Sequence, residues 1–317
     1  MKIQKISDLT IAASELLSTA GKKPPRIAVA AAREEAVLAA LAGAEQQGLA
    51  QPVLLGEKNK IEESAEKGGI KLSGWEIIEE NNPAAAAVRA VELIRDGEAD
   101  LVMKGLVSSA AFLKAVLRKD LGLNRGSLIS HGALMEVPNY HKLFIASDCA
   151  LNIAPNLAEK EIILRNAVDL AHCLGIDKPK AAILSAVETV DPDRMPCTAD
   201  AAILTQMQKR GQISGCIVDG PLALDNAVSA SSATTKSIDS PVAGDADILL
   251  VPGIEAGNIL YKSLTNLCGA KTAGLILGTR TPVILTSRAD SAETKTASIA
   301  LAILAWLGNS RHSSVSF

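Results

Sequence analysis

Short runs of Val, Ile, Leu and Ala recur along the chain at 27–30, 53–55, 101–103, 143–146, 182–184, 216–218, 248–251, 274–277 and 283–286. Nearly all are followed by a segment long enough for a helix, and that alternation predicts an α/β fold of parallel strands joined by right-handed crossovers. Runs that stay apolar throughout, such as Asp247-Ile-Leu-Leu-Val-Pro252, fit strands covered on both faces. The length, 317 residues, allows one large α/β domain or two smaller ones, since single cores stop growing near roughly 250–300, and two domains with a cleft between them are the expectation. Turn residues at 138–142 and 278–282 mark the expected crossings; with the last strand and helix returning to the first domain, that domain is 1–141 plus 279–317 and the second is 142–278.

Composition acts mainly by exclusion. A formal net charge of -3, with both signs interspersed, leaves no electrostatic footprint for nucleic acid or an anionic membrane, and 2% aromatics is too few for base stacking. Cys149, Cys173, Cys197, Cys216 and Cys268 are widely spaced with no C-x-x-C, and His131, His141, His172 and His312 sit on dissimilar segments. No metal site or disulfide framework is expected, and a reducing compartment follows. The first 25 residues lack the apolar block of a signal peptide, and the apolar run 299–307 is shorter than the roughly 20 residues that span a bilayer. A cytoplasmic location is therefore expected. The polar tail 310–317 reads as frayed.

In open α/β sheets, ligands gather where strand ends feed helix N-termini. After the run 283–286 comes Ser287-Arg288-Ala289-Asp290-Ser291-Ala292-Glu293-Thr294-Lys295, where a hydroxyl and a guanidinium at the mouth of a helix suit a phosphate or an oxyanion. Read as ordinary surface chemistry, Ser287 is a turn residue and Arg288 a solvated cation. Asp290 and Glu293 have the D-x-x-E spacing of a capping box, and either could instead serve as a general base. A second loop, Lys104-Gly105-Leu-Val-Ser108-Ser109, joins close backbone approach at the glycine to hydroxyl donors. Arg118 and Arg125 follow, residue types that often serve as surface or helix-end charges. A third, 252–262, turns on Gly253 and Gly257 into a helix expected to begin near Asn258, with Tyr261 and Lys262 one turn on. The stretch 218–226 reads as a strand end at Val218 followed by a polar loop whose acids cap helices or position a ligand. No H-E-x-x-H, G-x-S-x-G or Walker loop is present.

Long segments carry more. Leu101-Val-Met-Lys-Gly105, Ser147-Asp-Cys-Ala-Leu-Asn-Ile-Ala-Pro155, Val218-Asp-Gly-Pro-Leu-Ala-Leu-Asp-Asn-Ala227, Val242-Ala-Gly-Asp-Ala-Asp247, Glu255-Ala-Gly-Asn-Ile-Leu-Tyr-Lys262 and Leu285-Thr-Ser-Arg288 occur in order. In these the chain resembles the phosphate acetyl/butyryltransferase family, over nearly all of 26–304, and the wording at 218–226 and 101–105 is similar to the butyryl branch. The resemblance implies a two-domain isocitrate/isopropylmalate dehydrogenase-like fold with parallel-rich sheets and an interdomain cleft, a homodimer, and transfer of a butyryl group between coenzyme A and phosphate. Coenzyme A is then a substrate and no cofactor is required. Ser287 and Arg288 correspond to the family's catalytic Ser-Arg, with Lys104, Ser108, Arg118, Asn258, Tyr261 and Lys262 as substrate contacts. The family's proposed base, an Asp seven residues after the serine, falls here on Thr294, which leaves Glu293 and Asp290 as its substitutes. The alternatives are phosphate acetyl transfer, a metal-dependent hydroxyacid dehydrogenase of related fold, and a non-catalytic acyl-CoA or phosphate sensor.

Overall fold

The computed structural model describes residues 3–121, 123–124 and 126–312. Arg125 and the tail from 313 onward lie outside the described residues, while 310–312, expected in the tail, belong to the last helix. The chain forms two compact units, one comprising Ser7–Ser127 and Ala273–Phe317, the other Lys2–Ile6 and Leu128–Thr272. Both divisions fall earlier than the turn-rich stretches suggested.

The first unit opens with α1 (Asp8–Thr19), β1 (Arg26–Ala30), α2 (Glu35–Gln46), β2 (Gln51–Gly56), α3 (Lys58–Lys67), β3 (Glu76–Glu79), α4 (Pro83–Arg95), β4 (Leu101–Lys104) and α5 (Ser109–Val116). The second unit contains β5 (Ser130–Glu136), β6 (Phe144–Ser147), α6 (Leu157–Cys173), β7 (Lys180–Leu184), α7 (Pro196–Lys209), β8 (Ile217–Leu222), α8 (Leu224–Val228), α9 (Ala230–Thr235), β9 (Ile248–Leu250) and α10 (Ile254–Leu267). The chain then returns to the first unit through β10 (Lys271–Leu277), β11 (Val283–Ile284) and α11 (Ala292–His312).

In the first unit the strand order is β3-β2-β1-β4-β11-β10, parallel except where β10 meets β11. Ile27, Ala28, Val29 and Ala30 of β1 are wholly buried, as expected for a strand covered on both faces. The apolar run near the C-terminus forms the middle of α11, where Ile299, Ala300, Leu301, Ala302 and Ile303 are fully buried and α1 and α2 pack against the helix. A helix apolar all round must be enclosed, and here the enclosure is the unit's own core. Among the described residues no helix is long and apolar enough to cross a membrane.

In the second unit the order is β5-β6-β9-β7-β8, parallel except for the β5–β6 pair. Its strand starts are tied by ions: Lys142 reaches Asp245 at 2.8 Å and Asp247 at 2.7 Å, and Lys180 reaches Asp245 at 2.7 Å. Burial pushes the Asp245 carboxyl upward, but hydrogen bonds from Lys142, Lys180 and His141 outweigh it and hold the group well below the usual carboxylate range.

Several elements differ from expectation for identifiable reasons. β3 and β5 were not anticipated: β3 is a four-residue Glu-Ile-Ile-Glu segment, and β5 starts Ser-His-Gly, a composition that reads as loop. β8 continues through Gly220-Pro221 to Leu222 instead of ending at Val218, which an edge strand tolerates because the missing proline N–H faces no neighbour. β5 also falls in the second unit, since its ladder is with β6.

Candidate active site

Parallel pairing sets the ends of β1, β4 and β11 side by side. Ala30 pairs with Lys104, Val283 with Val102 and Ile284 with Met103, so the loops that follow these strands share one edge of the first unit. Gly105 makes that approach possible. Its N–H donates to the Ala30 carbonyl at 2.9 Å, and a Cβ there would lie 2.5 Å from the Ala31 carbonyl oxygen and 2.6 Å from that of Ala30. Only glycine leaves room for such backbone contact.

The loop after β11 is built by its own side chains. The Asp290 carboxylate accepts the Ser287 N–H at 2.7 Å, the Asp290 N–H donates to the Ser287 carbonyl at 3.2 Å, and the Ser287 hydroxyl accepts the Ala289 N–H at 3.3 Å. Arg288 is exposed on this loop. The expected Asp290–Glu293 capping box is not formed: Ser291 takes the capping place, its hydroxyl accepting the Thr294 N–H at 3.2 Å. Asp290 closes the turn before the helix because its short carboxylate is engaged three residues back, and Glu293 is left exposed in the first turn of α11.

Behind the loop lies Lys295, only 1% exposed. Its ammonium donates to the carbonyls of Ser287 at 2.8 Å and Asp290 at 3.1 Å and pairs with Glu34 at 3.2 Å. Lys104 is also buried, at 5% exposure, and donates to the Gly105 carbonyl at 3.2 Å. Burial holds its ammonium below the usual lysine range; the negative charge of Glu34 opposes this, Arg288 and Lys295 reinforce it, and Asp290 opposes it. Glu34, Arg288, Lys295 and Asp290 thus all lie near enough for their charges to act on the Lys104 ammonium. Two buried lysines beside an exposed arginine make an edge where a multiply charged anion relieves like-charge repulsion.

Glu34 and Lys295 were not singled out from sequence. A signal for Lys295 was present: it stands one helical turn before Ile299 and two before Ile303, on the face that the core covers. Glu34 carries no motif, and only the fold brings it to Lys295.

Other predicted residues have local duties. The Ser108 hydroxyl caps α5, accepting the Ala111 N–H at 3.2 Å, and Arg118 is exposed and paired with Asp120. Asp225 and Glu188 pair with Lys236 at 3.2 and 3.0 Å. In the second unit, α10 begins at Ile254 rather than near Asn258, so Gly257 lies inside the helix, where a Cβ would lie 2.5 Å from the Asp148 carbonyl oxygen. Asn258 donates to the Cys149 carbonyl at 3.2 Å, the Tyr261 hydroxyl lies 3.3 Å from that of Thr272, and the Lys262 ammonium sits 5.3 Å from the Tyr261 ring centroid. Burial, aided by Asp148, pushes the Cys149 thiol up to about 12, so it is no ready nucleophile. Among the described residues no group of three or more His, Cys, Asp or Glu side chains is arranged to hold a metal ion.

The family described as phosphate acetyl/butaryl transferase matches residues 11–87 and 80–303. Phosphate butyryltransferase of Clostridium acetobutylicum is 47% identical over 289 residues, spanning 91% of this chain and 96% of that protein. A probable phosphate butyryltransferase of Bacillus subtilis is 50% identical over 283 residues, 89% of this chain and 94% of the relative. Among solved structures, a branched-chain phosphotransacylase from Enterococcus faecalis superposes with a TM-score of 0.78 at 34% identity, covering 89% of this chain and 99% of that one.

Proposed function

The chain belongs to the phosphate acetyl/butaryl transferase family, and on that premise we propose that it moves a butyryl group reversibly between coenzyme A and inorganic phosphate. The observation that carries the reading at the level of residues is the convergence of the Ser287–Arg288 loop with buried Lys104 at adjoining strand ends.

In phosphorolysis a phosphate oxygen attacks the thioester carbonyl; the C–O bond forms as the C–S bond breaks, and the leaving thiolate takes up a proton. In the reverse direction the thiol loses its proton as sulfur attacks the acyl phosphate, and phosphate departs. Arg288 and Lys104 hold the phosphate, and the Ser287 hydroxyl donates to the carbonyl oxygen as charge builds there. Glu293 is the proton carrier. Asp290 is less suited, because its carboxylate already accepts the Ser287 N–H and holds the loop closed. Asn258, Tyr261 and Lys262 contact the coenzyme A or acyl portion in the same reading. The finer architecture belongs to it too: an isocitrate/isopropylmalate dehydrogenase-like fold, assembled as a homodimer in the cytoplasm, with no cofactor. Family membership is its support.

The test is thiol release from butyryl-CoA with and without phosphate, run beside acetyl-, propionyl-, isobutyryl- and valeryl-CoA. Release only with phosphate, fastest for butyryl, and accompanied by butyryl phosphate is expected. An equal rate without phosphate would mark a thioesterase, and an acetyl optimum would move the chain to the acetyl branch.

The proton carrier is tested separately. Glu293→Gln is expected to lower kcat by about 100-fold with an unchanged melting temperature, and to remove one limb of the pH profile. Asp290→Asn should do less, since the amide oxygen still accepts the Ser287 N–H. The opposite ranking would transfer the role to Asp290.

A further inference from the structure

The carbonyl oxygens of Ser287 and Asp290 both point at one buried ammonium, that of Lys295. In a trans peptide the carbonyl of one residue and the N–H of the next point in opposite directions. With those carbonyls drawn inward, the N–H groups of Arg288 and Ser291 are turned to the outer face of the loop. The remaining N–H groups are engaged within it: Ser287 with the Asp290 carboxylate, Ala289 with the Ser287 hydroxyl and Asp290 with the Ser287 carbonyl. Among the described residues, Arg288 and Ser291 N–H have no such partner.

An ammonium this deeply buried is a costly way to hold a helix in place. A Met of similar volume would fill the space without desolvating an ion, and replacing a whole buried ion pair with uncharged side chains is often neutral for stability. What an apolar side chain cannot do is draw two carbonyls inward at once. Lys295 therefore contributes loop orientation that packing alone would leave undetermined.

We propose that Lys295 is a positioning residue for acyl transfer: by holding the Ser287 and Asp290 carbonyls inward, it aims the Arg288 backbone N–H, together with the Arg288 guanidinium, at the phosphate. This rests on the proposed role of the Ser287–Arg288 loop and adds to it a backbone donor and the side chain that orients it. A main-chain N–H fixed in this way costs no reorganisation when the anion binds, unlike a mobile side chain.

The test uses the full-length double variant Lys295→Met/Glu34→Gln, which removes both members of the buried pair and strands neither charge. Three quantities are compared with wild type: the melting temperature, the separate KM values for phosphate and butyryl-CoA, and the shift of the Arg288 backbone amide resonance on titration with inorganic phosphate. The expected result is a melting temperature within about 5 °C of wild type, a KM for phosphate raised at least about tenfold with that for butyryl-CoA within about twofold, and loss of the Arg288 amide shift. Lys295→Gln, which keeps an uncharged NH2 donor group on a shorter side chain, should raise the phosphate KM in the same direction by a smaller factor.

An unchanged phosphate KM with an intact Arg288 shift in the double variant would overturn the proposal while leaving the assignment of Arg288 standing. A wild-type protein whose Arg288 amide ignores phosphate would overturn both. Both KM values rising together with a falling melting temperature, or failure of both variants to fold, would make Lys295 a scaffold residue and sink the positioning role.

Discussion

Arg288→Lys is expected to lower kcat/KM for phosphate at least about tenfold, and Arg288→Ala by about 1000-fold, with no change in melting temperature. Lysine keeps the charge but loses the planar fork that places two N–H donors on one phosphate, so the pair of variants separates geometry from electrostatics. The exposed position of Arg288 explains why stability should be indifferent. The burden on this side chain is large because the neighbouring Lys104 makes a poorer replacement: its ammonium is buried, already donates to the Gly105 carbonyl, and is disfavoured in its charged form by burial. The measurement is initial-rate kinetics with phosphate as the varied substrate. Wild-type kinetics in Arg288→Lys would remove bidentate phosphate recognition at this residue, and wild-type kinetics in Arg288→Ala would remove Arg288 from the mechanism.

Asp148→Ala should destabilise the second unit by about 3 kcal/mol, the order expected when several charge-assisted hydrogen bonds are lost and their donors are only partly reached by water. Asp148 is 3% exposed and accepts from the N–H groups of Ala150 at 2.8 Å, Leu151 at 3.0 Å and Asn152 at 3.3 Å, and from the Asn152 side-chain amide at 2.6 Å. That amide also donates to the Ile129 carbonyl at 2.9 Å, so the loop after β6 is tied through Asn152 to the approach of β5. Asp148→Asn retains an oxygen for the Ala150 and Leu151 N–H groups but offers an NH2 where Asn152 needs an acceptor. It should cost roughly half as much on the same reasoning. Urea unfolding of both variants gives the comparison. A loss below about 1 kcal/mol for Asp148→Ala would show that water takes over these contacts. Because α10 packs its Gly257 against the Asp148 carbonyl, loosening this loop should also disturb Asn258, which donates to the Cys149 carbonyl.

Legibility followed burial. Strands enclosed on both faces have sequences that are apolar without interruption, and β1, β2, β4, β7 and β9 were readable for that reason. β5 is just as enclosed, but Ser130, His131 and Gly132 open it, and composition alone assigns such residues to a loop. The antiparallel joins of β5 with β6 and of β10 with β11 were equally invisible, because local pattern marks a strand and not its neighbour's direction. Cap chemistry was half legible. Asp290 and Glu293 have capping-box spacing, yet Ser291 lies one residue further along and its hydroxyl is the one that meets a free helix N–H.

What the sequence determined by itself was the class of fold, through alternating apolar runs and helical segments, and the family, through motifs spread in order over most of the chain. It also singled out Ser287 and Arg288 as groups suited to an anion, since residue type and position after a strand carry that information locally, while Lys104 entered as a substrate contact through the family resemblance. Only tertiary structure decided which of these groups act on each other. Lys104 and Arg288 are 184 positions apart in sequence order and meet in charge because β4 and β11 are parallel neighbours. Glu34 reaches Lys295 because β1 lies on the other side of β4. Spacing along a chain describes contacts within one turn of helix or one loop; a contact between loops depends on strand order, which long-range packing sets and no local motif records.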